Sequence, residues 1–194
     1  MRQTRIRTLC ECAMMLALSI ALSYVPLGIE LPLGGKVTLF SMLPVCLISL
    51  RHGLRWGMPI AFLFSLFQLF QSLGEVLAWG LTPGMLVASC LLDYLLAYSV
   101  IGLCGLTRRF GRIGCIGGIA AVCFLRFGVH FLSGIVLWAK YDEFIVFGET
   151  FFNRPYLYSF LYNGMFMLPE TLLTVAGAAL LLCPPRTYRL IVQG

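Results

Sequence analysis

Three polar side chains interrupt long apolar runs of this sequence. They are Asp93 in ASCLLDYLLAYSVIGL (88–103), His130 in LRFGVHFLSGIVLW (125–138) and Asn163 in YSFLYNGMFML (158–168). A carboxylate within a bilayer costs about 2.5–3.5 kcal/mol on insertion scales, so it faces a bundle interior or a cavity, where it meets a ligand or a partner charge. Aromatic rings accompany all three. Tyr94 and Tyr98 lie beside and one turn below Asp93, Trp138 follows His130 at helical spacing, and Tyr158 precedes Asn163. One acid, one imidazole, one amide and several rings suit a flat heteroaromatic cation. The rings stack, their faces attract positive charge, and the carboxylate supplies the counter-charge. Arg126 and Glu170 share a greater depth and form the natural structural ion pair. A pairing of Asp93 with Arg126 is the competing arrangement and would make Asp93 structural.

The elements that must position these residues are membrane helices. Of 194 residues, 60% are hydrophobic and 11% charged, about half the charge of a soluble domain. The apolar residues form six blocks: 8–27, 37–52, 55–73, 84–107, 113–139 and 156–183. Each is read as a span of a single all-α membrane domain covering 1–194, since about 20 apolar residues cross ~30 Å of hydrocarbon. The alternating pattern of a transmembrane barrel is absent. Counted from the outer end of each span at about 1.5 Å per residue, Asp93 and His130 lie roughly 13 Å deep and Asn163 roughly 10 Å. Three spans thus place polar groups in one layer. Arg126, His130, Gly134 and Trp138 recur every four residues and share one helix face.

Charge sets the expected orientation. Arg2, Arg5, Arg7, Arg51, Arg55, Arg108, Arg109, Arg112, Arg186 and Arg189 fall on one side of a six-span chain. The other side carries Glu30, Lys36, Glu75, Lys140, Asp142, Glu143, Glu149 and Arg154. The positive-inside rule puts both termini in the cytoplasm. The net charge of +6 is thereby a topology signal, and short scattered basic loops exclude nucleic-acid binding. The N-terminal run could pass for a signal peptide, but its length and the even span count favour a retained helix. The eight cysteines show no metal or redox spacing and read as packing residues. GGKVT at 34–38 lacks the remaining phosphate-loop residues, so ATP binding is not expected of this chain. No internal repeat is visible, which argues against an inverted-repeat transporter. Segments 28–36, expected to be irregular, and 140–155 are large enough to act as outer lids. Ala13, Ala17 and Ala21 form a small-residue face on which another membrane helix could dock.

Four stretches carry a family resemblance over about residues 8–183: GGKVTLFSMLPVCLISLRHG (34–53), LLDYLLAYSVIG (91–102), LRFGVHFLSGIVLWAKY (125–141) and YSFLYNGMFMLPE (158–170). The chain resembles the thiamine-specific, substrate-binding S components of energy-coupling factor (ECF) transporters. The resemblance implies a six-helix S-component fold in the bacterial cell membrane and capture of thiamine from outside. It implies no cofactor, no metal and no enzymatic activity of its own. Its site residues are implied to be Asp93, Tyr94, His130, Trp138, Tyr158 and Asn163, and the Ala13, Ala17, Ala21 face would meet the transmembrane coupling subunit. Two separate ATPase subunits would supply the energy. The sequence departs from some members in lacking tryptophan and glutamate in the first outer loop, and in carrying aspartate where glutamate is frequent. From the residues alone, an S component for another vitamin or cationic heterocycle stays open. So do an intramembrane enzyme using Asp93 and His130 as acid and base, and a scaffold using the alanine face.

Overall fold

The computed structural model of the chain describes residues 2–31, 34–138, 145–146, 149–150 and 154–193. In chain order it contains α1 (Arg2–Ser23), β1 (Pro26–Glu30), β2 (Lys36–Thr38), α2 (Leu43–His52), α3 (Leu54–Ala78), α4 (Pro83–Thr107) and α5 (Gly111–Trp138). Two short strands, β3 (Ile145–Val146) and β4 (Glu149–Thr150), precede α6 (Pro155–Leu182), α7 (Pro185–Tyr188) and a closing π-helical turn, Arg189–Gln193. Five helices are long and apolar enough to cross a membrane: Gln3–Ser23 of α1, and α3, α4, α5 and α6.

The second expected span, 37–52, is not one continuous helix. It is helical only over the ten residues of α2, about 15 Å of rise, half of a hydrocarbon layer. Its first part is the strand β2 and a turn. Backbone that leaves the helix at membrane depth must be enclosed by protein or line a cavity. Every residue from Leu43 to Leu50 is buried, so α2 is the hub around which the longer helices stand. The first expected span, 8–27, starts earlier and stops at Ser23, because the chain turns there into β1.

The segment 28–36, expected to be irregular, contributes to a two-stranded antiparallel pairing of β1 with β2, with Pro26 opposite Thr38 and Glu30 opposite Lys36. The second expected lid, 140–155, falls mostly outside the described residues; β3 and β4 within it pair antiparallel. Small residues let the helices close. A Cβ on Gly102 of α4 would lie 2.8 Å from the Gly57 carbonyl oxygen of α3. The apolar interior divides in two. A larger cluster around Val45, Cys46, Leu50, Phe64, Ile101 and Ile119 fills the middle and the α7 end. A smaller, aromatic one comprises Val37, Leu137, Trp138, Tyr158, Tyr162, Phe166 and Met167.

Candidate binding site

The aromatic cluster forms one wall of a cavity that encloses about 630 Å³ of empty space, its open mouth included. All six expected substrate residues line it: Asp93 and Tyr94 from α4, His130 and Trp138 from α5, Tyr158 and Asn163 from α6.

Local geometry explains how α4 and α5 present their residues. Both leave the regular α-helix at the cavity. Cys90–Leu96, which carries Asp93 and Tyr94, and Gly134–Trp138 are wide π-helical turns. The strict every-fourth-residue face expected for Arg126 through Trp138 is therefore broken beyond Gly134. Wide turns of this kind rotate the following side chains and recur at functional sites. Here Trp138 still reaches the cavity.

Asp93 is the polar centre. Its Oδ2 accepts hydrogen bonds from Trp138 Nε1 at 3.0 Å and Ser89 Oγ at 3.1 Å. His130 Nδ1 lies 3.3 Å from Asp93 Oδ1, with the two side chains 11% and 14% exposed. If Nδ1 carries the proton, the imidazole donates to Asp93 and keeps Nε2 as an acceptor. Nε2 is buried and has no hydrogen-bond partner among the described residues, and the ring stands edge-on to Phe166 at 5.9 Å. Asp93 is thus oriented from three sides while still lining the cavity.

Asn163 works on the packing of α5 against α6. Its Nδ2 donates toward the His130 carbonyl at 3.2 Å and toward Ser159 O and Oγ at 2.9 and 3.1 Å. A Cβ on Gly134 would fall 2.2 Å from Ser159 Oγ and 3.2 Å from Asn163 Nδ2, so only glycine permits this approach.

Arg126 also lines the cavity and meets Glu170, which does not. Arg126 Nη1 donates to Glu170 Oε2 at 2.5 Å, and the two side chains are 2% and 3% exposed. Thr38 Oγ1 donates to Glu170 Oε1 at 2.9 Å, tying β2 to α6. The Arg126 guanidinium also sits 4.3 Å above the Tyr98 ring. Arg126 therefore has Glu170 as its carboxylate partner, and Asp93 faces the cavity without it.

Several lining residues escaped the sequence reading. Tyr162 and Phe166 continue the Tyr158 face at four-residue spacing, and Tyr158 stacks on Tyr162 at 5.7 Å. Ser89 precedes Asp93 by one turn. That spacing was available as a signal for all three. Trp79 gave none: it ends α3, yet its ring meets Trp138 edge-on at 5.2 Å. Gly34, Gly35 and Lys36 of the hairpin also line the cavity, and Tyr162 Oη accepts from the Gly35 N–H at 3.3 Å.

Far from the cavity, Ala13, Ala17 and Ala21 are all exposed on α1. Glu11, unremarked in the sequence, binds Arg7 at 2.9 Å, Arg51 at 2.7 Å and His52 at 2.9 Å, joining α1 to the end of α2. Among the described residues, no three His, Cys, Asp or Glu side chains form a metal-holding group.

Fold and cavity define the class first: a multi-pass, all-helical membrane protein with a small-solute pocket near one end of its bundle. The chain belongs to the family described as thiamine transporter protein (Thia_YuaJ), which it matches over residues 9–189. It is 27% identical over 189 residues to the thiamine transporter ThiT of Bacillus subtilis (strain 168), with 90% of this chain and 88% of that protein covered. It is 25% identical over 191 residues to the thiamine transporter ThiT of Lacticaseibacillus paracasei, with 89% and 85% covered. A solved structure of ThiT from Listeria monocytogenes superposes with a TM-score of 0.71 at 23% identity, covering 95% of this chain and 98% of that one. The likeness to that structure shows the fold. Family and helices together make this a multi-pass protein of the bacterial cell membrane.

Proposed function

We propose that this protein captures thiamine from the extracellular side, as the S component of an ECF-type vitamin importer. The observation that carries the reading is Asp93, a carboxylate held by Trp138, Ser89 and His130 within a ring of aromatic side chains. Thiamine joins a positively charged thiazolium to an aminopyrimidine, so it needs both a counter-charge and flat apolar walls. Nanomolar binding of its ~18 heavy atoms requires about −0.7 kcal/mol per atom, which near-complete burial can supply. Asp93, Tyr94, His130, Trp138, Tyr158 and Asn163 are the substrate residues in this reading.

The remaining parts follow from charge and surface. The chain is one six-helix membrane domain, with α2 and β2 together making the short second crossing. Both termini are cytoplasmic, because arginines gather at that end. The exposed Ala13, Ala17 and Ala21 face of α1 meets the transmembrane coupling subunit. Two ATPase subunits drive release, since this chain carries no phosphate loop of its own. Transport by this protein requires no cofactor. Calorimetric titration of the purified protein with thiamine tests the reading: one site with a nanomolar to low-micromolar dissociation constant is expected. No heat and no tryptophan quenching from a folded sample would refute thiamine as the ligand.

A further inference from the structure

A second cavity lies at the opposite end of the bundle, between the first turns of α1 and α3. It is lined by Thr4, Arg5, Thr8, Arg55, Trp56 and Pro59 and holds about 860 Å³ of empty space, its open side included. We propose that it binds the phosphodiester headgroup of an anionic phospholipid of the phosphatidylglycerol type.

The two arginines carry the argument. Arg7 and Arg51 are engaged by Glu11, whereas among the described residues neither Arg5 nor Arg55 has a carboxylate partner. Both are exposed, come from different helices and line the same cavity. Guanidinium groups from two sides match the tetrahedral oxygens of a phosphate better than a single charge does. Thr4 adds a hydroxyl group to the lining, while the Thr8 hydroxyl donates to the Thr4 carbonyl at 3.0 Å.

The same site suits a lipid better than a free anion. Trp56 is half-buried and packs inward on the main apolar cluster while also lining the cavity. Tryptophan in this position is at home at the headgroup level. Pro59, inside α3, has no N–H to give to the Arg55 carbonyl four residues earlier. Ile6 on α1 and Phe62 and Leu63 on α3 are 52%, 46% and 47% exposed, apolar side chains against which acyl chains can lie.

Native mass spectrometry of the full-length protein in detergent, with phosphatidylglycerol or phosphatidylcholine added, tests the proposal. The expected result is one retained phosphatidylglycerol, held at least tenfold more tightly than phosphatidylcholine. Arg5→Gln/Arg55→Gln lowers that affinity tenfold or more, on the basis of the stabilisation each arginine gains at an anionic surface. Arg5→Gln alone, at an exposed position near the end of α1, guards against a folding failure and lowers it severalfold. Arg109→Gln removes an exposed charge outside the cavity and changes it twofold or less. An equal loss in Arg109→Gln would show diffuse attraction and overturn the site. So would equal retention of the two lipids, or displacement of the lipid by millimolar inorganic phosphate, which would mark a soluble-anion pocket.

Discussion

Replacing Asp93 by asparagine nearly preserves volume and removes one charge. The side chain is 14% exposed, so a cation in the cavity would feel it through a partly screened medium. At roughly 5 Å and an effective dielectric constant of ~20, the attraction is about 3 kcal/mol. Part of it is offset by desolvation, leaving about 1.5–3 kcal/mol, or roughly 10- to 150-fold in the dissociation constant. The amide oxygen of asparagine can still accept from Trp138 Nε1 or Ser89 Oγ, so the wide turn of α4 stays in place. Calorimetry with thiamine and with a neutral thiophene analogue separates charge from shape. Asp93→Asn should weaken thiamine by at least tenfold and the neutral analogue by threefold or less. Equal losses for both ligands would mean that Asp93 acts through hydrogen bonding alone. Unchanged thiamine affinity would refute its role as counter-charge.

Three further outcomes follow from the geometry. Glu170→Gln leaves Arg126 buried without a counter-charge and should cost about 3–5 kcal/mol, read as a fall in thermal midpoint; Arg126→Met/Glu170→Met should recover much of it. Gly134→Val forces α5 and α6 apart at Ser159 and Asn163, so thiamine affinity should fall by tenfold or more in calorimetry, with an overpacking cost of about 1–3 kcal/mol in the melt. Ala17→Trp enlarges the exposed face of α1; in the proposed assembly thiamine binding persists within twofold in calorimetry, while uptake of radiolabelled thiamine by cells is lost.

Much of the site was legible because membrane chemistry makes polar residues conspicuous. Asp93, His130 and Asn163 stand out from apolar runs, and rise per residue places them in one layer without any knowledge of packing. The same depth count favours Arg126–Glu170 and leaves Asp93 open as the alternative partner. Trp79 could not be found that way. It sits at the end of a helix, where tryptophan is expected at any membrane interface, and only the approach of α3 to α5 brings its ring to Trp138.

The sequence by itself determined the helices that could cross a membrane, the asymmetry of charge between their ends and the polar layer inside. Those depend on composition and local spacing, which the chain carries in one dimension. Tertiary structure alone decided that 37–52 runs from the end of a short strand through a turn into a ten-residue helix, because a backbone can leave the α-helix there only when other helices enclose it. It also decided the wide turns at Asp93 and Trp138, which regular periodicity cannot anticipate. Finally, it decided which carboxylate Arg126 meets. Depth allowed the choice, and the buried junction of Arg126, Glu170 and Thr38 made it.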